Sequence, residues 1–262
     1  MGGAIARWEA QRGNRSAAEQ ALLETKRSVE AFASGSRMTE SVASSHFELL
    51  EDADRQVKLA FGEDATVYAM AGDALPRLDN LRRSITDPKR RGLLLYVQRQ
   101  TLDEGARAAL NLGHSGDAET AARALLSLPL GSGNDAVHLS LDQPDDPVWG
   151  QVLLAQAAVE QGRQAEALQT LRPALAHYRD AQAQGAGHLA FCQHFARALH
   201  VQALAEPAGS GAMTRRRTAL DQAAALLQSL PEEARQLHDS RQLLSWIAAA
   251  QKEPNSEVEG TK

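Results

Sequence analysis

The chain has 262 residues, of which 43% are hydrophobic and only 4% aromatic, and it carries a formal net charge of −5. That is enough apolar material for a sizeable core, and the dominance of Ala and Leu over β-branched and aromatic residues favours packed helices over a β-sandwich. The negative balance offers no long-range attraction to phosphate backbones or anionic lipid, which argues against nucleic acid and membrane surfaces as partners.

In chain order, residues 4 to 33 read as a short helix, a break at "RGN", and a longer helix closed by Gly35, with Ala18, Leu22, Thr25, Val29 and Phe32 at three- and four-residue steps. A third helix is expected over Ser41 to Leu59, and another around Ala65 to Met70 that runs into "AGDALPRL". "ITDPKRRG" reads as a solvated connector before a long helix from Leu93 to Leu112. After a segment beginning at Gly116, "LPLGSGNDAVHLSLDQPDDPV" holds three prolines, two glycines and four aspartates, too many breakers for a regular element. Helices follow at about Val148 to Gln161, Ala165 to Gln184, Leu189 to Ala205, Thr214 to Ser229 and Glu232 to Ala250, with "EPAGSGAMTRRR" as a flexible loop. No stretch reads as a strand. The organisation expected is an N-terminal helical region (1–130), an acidic Pro/Gly loop (131–147), a C-terminal helical region (148–250) and a disordered tail (251–262).

The single cysteine, Cys192, excludes an internal disulfide, so burial alone must hold the fold together. No run of about 18 apolar residues occurs, and "MGGAIARWEAQRG" lacks the charged start and apolar core of a signal peptide. The expected location is the cytoplasm, or the periplasm if the chain is the C-terminal part of a transmembrane protein.

A spacing recurs three times. "GNRSAAEQAL" from Gly13, "GDAETAARAL" from Gly116 and "GRQAEALQTL" from Gly162 each place an alanine five residues after a glycine and a leucine nine after it, and an alanine stands seven residues before each glycine: Ala6, Ala109 and Ala155. Glycine lets the chain leave one helix in a left-handed conformation, the two alanines allow the antiparallel helices to cross closely, and leucine fills the gap towards the next hairpin. Such hairpins bury their apolar faces only by stacking. The stretch from 40 to 90 departs most, since Arg77 stands where the alanine after Gly72 is due.

The frame resembles the tetratricopeptide repeat, through "ARAALNLGHSGDAETAARALLSLP" with Pro129 at its end and "VWGQVLLAQAAVEQGRQAEALQTLRPAL" with Trp149 near its start. Gly13 and Gly116 lie about three lengths of the roughly 34-residue repeat apart, leaving room for two degenerate hairpins. A fourth hairpin, "HFARALHVQALA" with "RRRTALDQAAALLQSLP", keeps Ala198, Ala223, Leu227 and Pro231 but replaces the turn glycine with a loop. The resemblance covers about two thirds of the chain. It implies an all-α array of stacked antiparallel hairpins, its N-terminal part degenerate, that binds a protein or peptide along a groove lined by the first helix of each hairpin; on this sequence that means Asp103, His114, Trp149, Gln156, Glu160 and Gln202. A second resemblance is to bacterial receptor-like serine/threonine kinases: "GGAIARWEAQRGNRSAAEQALLETKRSVEAF" resembles the sequence just after their transmembrane helix, and "AFGEDATVYAMA" and "RRRTALDQAAALLQSLPEEARQLHDSRQLLSWIAAA" resemble their helical-repeat tails, without a glycine-rich loop, HRD or DFG sequence. It implies a sensor or scaffold part of a signalling protein.

The one concentration of chemistry-bearing residues is His188, Cys192, His194 and His200. His188 and Cys192 are one helical turn apart, a spacing that can chelate a metal, but His194 lies off that face and no CxxC or HExxH accompanies them. Cys192 could be a nucleophile if a histidine lowered its pKa; a buried, inert thiol suits so apolar a helix better. "GSGN" and "GSGA" lack the strand and the GK[ST] or G-x-S-x-G context of phosphate or nucleophile loops. The basic runs Arg82-Arg83, Lys89 to Arg91 and Arg215 to Arg217 read as solvated charge. Trp149 and Trp246 are core or cap residues, or anchors for a partner. The expectation is therefore a non-catalytic protein- or peptide-binding module with no cofactor or metal. The alternatives are a small hydrolase or metal-dependent enzyme using the histidine cluster, and a structural oligomerisation domain whose concave face a symmetric partner fills.

Overall fold

Three-residue turns set the architecture of this chain, whose computed structural model describes residues 2–35, 40–128, 148–207, 209 and 211–252. The acidic loop expected at 131–147 and all but the first two residues of the expected tail lie outside the described residues, as does Pro129. Within them the fold is all-α. Gly13, Gly62, Gly113 and Gly162 all take left-handed φ values of 74 to 78°. In each case the next amide donates to the carbonyl five residues back, from Asn14 to Glu9, Glu63 to Lys58, His114 to Ala109 and Arg163 to Ala158, at 2.8–3.0 Å. This closes the helix and releases the chain into the next one a residue later.

The four turns join α1 (Gly2–Gln11) to α2 (Arg15–Gly35), α3 (Glu40–Ala60) to α4 (Asp64–Ser84), α5 (Pro88–Asn111) to α6 (Ser115–Ser127) and α7 (Trp149–Glu160) to α8 (Gln164–Ala183). Then come α9 (Leu189–Ala205), α10 (Ala212–Gln228), the single turn α11 (Glu232–Arg235) and α12 (His238–Lys252). Helices joined by so short a connection and packed along each other run antiparallel. Odd-numbered helices also pack on the next odd-numbered helix, from α1 through α9. These five helices thus form one continuous layer. α7 buries Trp149, Val152, Leu153, Leu154 and Ala155, residues from every side, whereas α6 buries only the stripe Ala118, Ala122 and Leu125.

The turns move the sequence frame. In the third hairpin the turn glycine is Gly113, while Gly116 lies inside α6. Counting from Gly113 places Ala106, Ala118 and Ala122 at the crossing, all fully buried, in place of Ala109, Ala121 and Leu125. In the second hairpin the glycine is Gly62, not Gly72, which is helical. Seven residues before it stands Arg55, and Val67 and Ala71 follow at the crossing positions, so residues 40–84 do repeat the hairpin. The glycines are spaced by about fifty residues, a longer period than the 34 expected.

Other boundaries differ for identifiable reasons. α4 runs unbroken through Pro76, as α8 does through Pro173. The "ITDPKRRG" connector is mostly helix: Asp87 Oδ1 accepts the Lys89 amide at 3.1 Å and Pro88 occupies the first turn, where its missing N–H costs nothing. The helix expected from Glu232 to Ala250 breaks after Arg235 into α11 and α12, and α12 continues to Lys252. α12 packs on α9 and α10 and reaches α3.

Candidate functional site

Four of the six residues expected to line a groove lie on two packed helices, largely inside the fold. Asp103 comes from α5 and Trp149, Gln156 and Glu160 from α7. The Trp149 indole Nε1 donates to Asp103 Oδ1 at 2.5 Å, and Gln156 Nε2 donates to Glu160 Oε1 at 3.1 Å. Asp103, Trp149 and Gln156 are buried rather than facing an open groove, and the Trp149–Asp103 bond ties α7 to α5; Glu160 alone of the four is exposed. His114 and Gln202 stand apart. His114 is exposed beside the α5–α6 turn with its ring edge-on to Tyr68, and Gln202 Oε1 accepts from Arg179 of α8 at 3.5 Å.

The centre of this cluster is Arg197 of α9, which the sequence reading passed over. Its guanidinium carbon lies 6.0 Å from the Trp149 ring and 5.4 Å from the Trp246 ring. Burial, and then the charge of Arg107, pull its pKa down to about 10, so it is still a cation at neutral pH.

The histidine cluster disperses. His188 begins α9 with Nδ1 accepting the Phe191 amide at 3.3 Å. Cys192 Sγ donates to the Gly187 carbonyl at 3.4 Å, and burial raises its pKa, which disfavours the thiolate. His194 stacks on Trp149 with centroids 3.7 Å apart, and His200 stacks on Trp246 at 6.0 Å. Among the described residues no three His, Cys, Asp or Glu side chains are grouped to hold a metal ion.

A second buried cluster surrounds Arg55. Its Nε donates to Glu104 Oε2 at 2.8 Å and its Nη2 to Thr101 Oγ1 at 2.6 Å, with Asp52 Oδ1 at 3.5 Å. Arg7 of α1 and Gln56 reach the other Asp52 oxygen at 3.4 and 3.1 Å. Burial pushes Glu104 up to about 8 and Asp52 up to about 6, against the pull of the guanidinium groups, because one fully buried cation balances only one of the two carboxylates. The sequence signal was present: a charged residue at the register position that alanine holds in the other three hairpins.

Between these clusters is a cavity of about 200 Å³, walled by α1, α3, α5, α9 and the start of α12. Glu104, Asp103 and Arg107 form its floor on the α5 side, and Leu59, Leu189 and Leu237 give it apolar flanks. Arg107 pairs with Asp103 at 3.7 Å and with Asp239 of α12. No helix among the described residues is long and apolar enough to cross a membrane. No family model matches the chain, and comparison with curated proteins and with solved structures finds no match.

Proposed function

We propose that the chain is a non-catalytic helical-repeat module, a tetratricopeptide-like stack of antiparallel hairpins with a period of about fifty residues, that binds a protein or peptide on its odd-helix face. The observation that carries this reading is the fourfold recurrence of one turn, which puts α1, α3, α5, α7 and α9 side by side, together with a cavity opening among the helices of that layer. Asp103, Trp149, Gln156 and Glu160 then serve as the frame that fixes the face, and Gln100 and Gln193, half-exposed on the cavity wall, as contacts. The likeness to the repeat tails of receptor-like kinases supports a sensor or scaffold role in a bacterial signalling protein.

The test is selection from a random peptide library displayed against the intact chain. Peptides should enrich, and Gln11→Trp or Gln100→Trp, which fill the face without breaking a bond to the core, should abolish capture while leaving the thermal melt unchanged. Failure to enrich any peptide, or capture indifferent to both substitutions, would overturn the reading. A second reading, a surface for self-association, is favoured by the N-terminal hairpin, where Ile5, Trp8 and Phe32 are each at least half exposed. It predicts a mass in sedimentation that rises with concentration and returns to that of the monomer in Trp8→Glu.

A further inference from the structure

We propose that the cavity between α1, α3, α5, α9 and α12 is a pocket for a basic side chain, a lysine or arginine of the bound peptide, with Glu104 and Asp239 as the groups that receive its charge. The proposal deepens the peptide-binding reading above and rests on it.

Among the described residues the cavity wall carries three carboxyl groups, Asp103, Glu104 and Asp239, against two guanidinium groups, Arg7 and Arg107. Both guanidinium groups are committed, Arg7 to Asp52 and Arg107 to Asp103 and Asp239. Asp103 spends its oxygens on Trp149 and Arg107. Two of these carboxyl groups each keep one buried oxygen without a hydrogen-bond partner, Glu104 Oε1 and Asp239 Oδ1, and each accepts once its carboxyl is ionised. Glu104 is 1% exposed, and leaving such an acceptor unpaired costs free energy that a ligand donor recovers. Glu104 of α5 and Asp239 of α12 both line the cavity, so a ligand donor seated there meets carboxyl groups from two elements. The flanks formed by Leu59, Leu189 and Leu237 match the aliphatic stem on which lysine and arginine carry their charge.

The site also has a proton to exchange. Glu104 faces Arg55 and Asp52 of α3, with Arg7 of α1 beyond Asp52, its own neighbours Thr101 and Asp103, and Asp239 of α12 across the cavity. Its carboxyl is held up to about 8 by burial, so the empty pocket carries a proton there at neutral pH and an entering cation releases it. Affinity for a permanently charged probe therefore rises as pH is taken from 7 to 9.

The experiment titrates the intact chain, followed by NMR chemical shifts, with N-acetyl-lysinamide, its uncharged isostere N-acetyl-norleucinamide, and 1,5-diaminopentane. Saturable shifts with the lysine probe, none with norleucine, affinity increasing with pH, and a loss of about tenfold or more in both Glu104→Gln and Asp239→Asn are the expected results. Each variant is first shown to be folded by its melt, and Asp221→Asn on α10, outside the cavity wall, is the control that keeps full affinity. Equal binding of the norleucine probe, or unaltered affinity in both variants, overturns the pocket. Binding of the diamine with a silent lysine probe overturns the peptide anchor in favour of a free amine. The two readings fail separately: peptides that enrich without basic residues leave peptide binding standing and remove this pocket, whereas lysine binding in a chain that captures no peptide does the reverse.

Discussion

The hairpins α3–α4 and α7–α8 turn on the same backbone conformation and cross with opposite chemistry. At the position seven residues before the turn glycine, α7 has Ala155, whose lack of bulk lets Ala167 and Leu171 close in, all three fully buried. α3 has Arg55 at that position, equally buried, and surrounds it with Glu104, Thr101 and Asp52. The turn therefore fixes where helices meet and leaves open what meets there. One solution is stabilised by contact area alone. The other is secure only while every partner is present, because a buried charge without its counter-charge costs several kcal/mol.

The sharpest way to break this comparison is Arg55→Ala, which leaves two buried carboxyl groups without their shared cation. It should cost about 3–5 kcal/mol in urea denaturation, against near-neutrality for an alanine already in place at Ala155. A loss below about 1 kcal/mol would show that the Arg55 cluster does not hold the second hairpin.

The same cluster should make stability depend on pH, where the alanine crossing cannot. Glu104 has a folded pKa of about 8, above its ordinary value of 4.5, so between those values the folded state binds more protons than the unfolded one and stability falls as pH rises. Asp52, raised from 3.8 to about 6, adds to the same slope at lower pH. Denaturation midpoints from pH 5 to 8 should decline, and Glu104→Gln should flatten the decline above pH 6.

At the other hairpin, Ala155→Leu or Ala167→Leu overpacks a closed crossing and should destabilise by about 1–3 kcal/mol, while exposed Ala183→Leu stays close to wild type. Equal effects at all three positions would assign the crossing to the wrong face.

A smaller effect separates two glycines three residues apart. Gly113→Ala forces a side chain into φ +78° and should cost about 1 kcal/mol, whereas Gly116→Ala, inside α6 with open space around it, should stabilise by up to about 1 kcal/mol. The same sign for both would put the turn elsewhere. The smallest expected effect is none: thermal melts with excess zinc and with chelator should overlay, and a shift of several degrees that His188→Ala removes would reunite the histidines that the fold disperses.

Helix positions were mostly legible because they rest on local periodicity; α9 spans Leu189–Ala205 as the sequence reads it. The repeat register was less so. With Gly113 and Gly116 both available, residue spacing fits either, and only the left-handed φ of Gly113 chooses. The second hairpin was hidden because its crossing residue is charged: Arg55 is acceptable there only through Glu104 and Thr101, more than forty residues away. The same long reach explains the site. Asp103 and Gln156, read from the first helix of each hairpin, stand on α5 and α7, but the bond from Trp149 to Asp103, which turns a groove residue into a buried brace, leaves no local trace. Arg197 has no local signature because its two indoles arrive from α7 and α12.

The return of α12 to α3 changes how the stack can come apart. A file of repeats in which each member touches only its neighbours frays from its ends, losing one unit at a time. Here α12, the last helix among the described residues, is clasped to the second and third hairpins: the His238 ring sits against the Gly62 turn, where an added Cβ would lie 2.6 Å from Nδ1, its Nε2 lies 3.5 Å from Asp64, and Asp239 holds Arg107 of α5. Peeling α12 away breaks that clasp and uncovers charges at the middle of the chain as well as apolar surface on α9 and α10, which ties the stability of the two regions together.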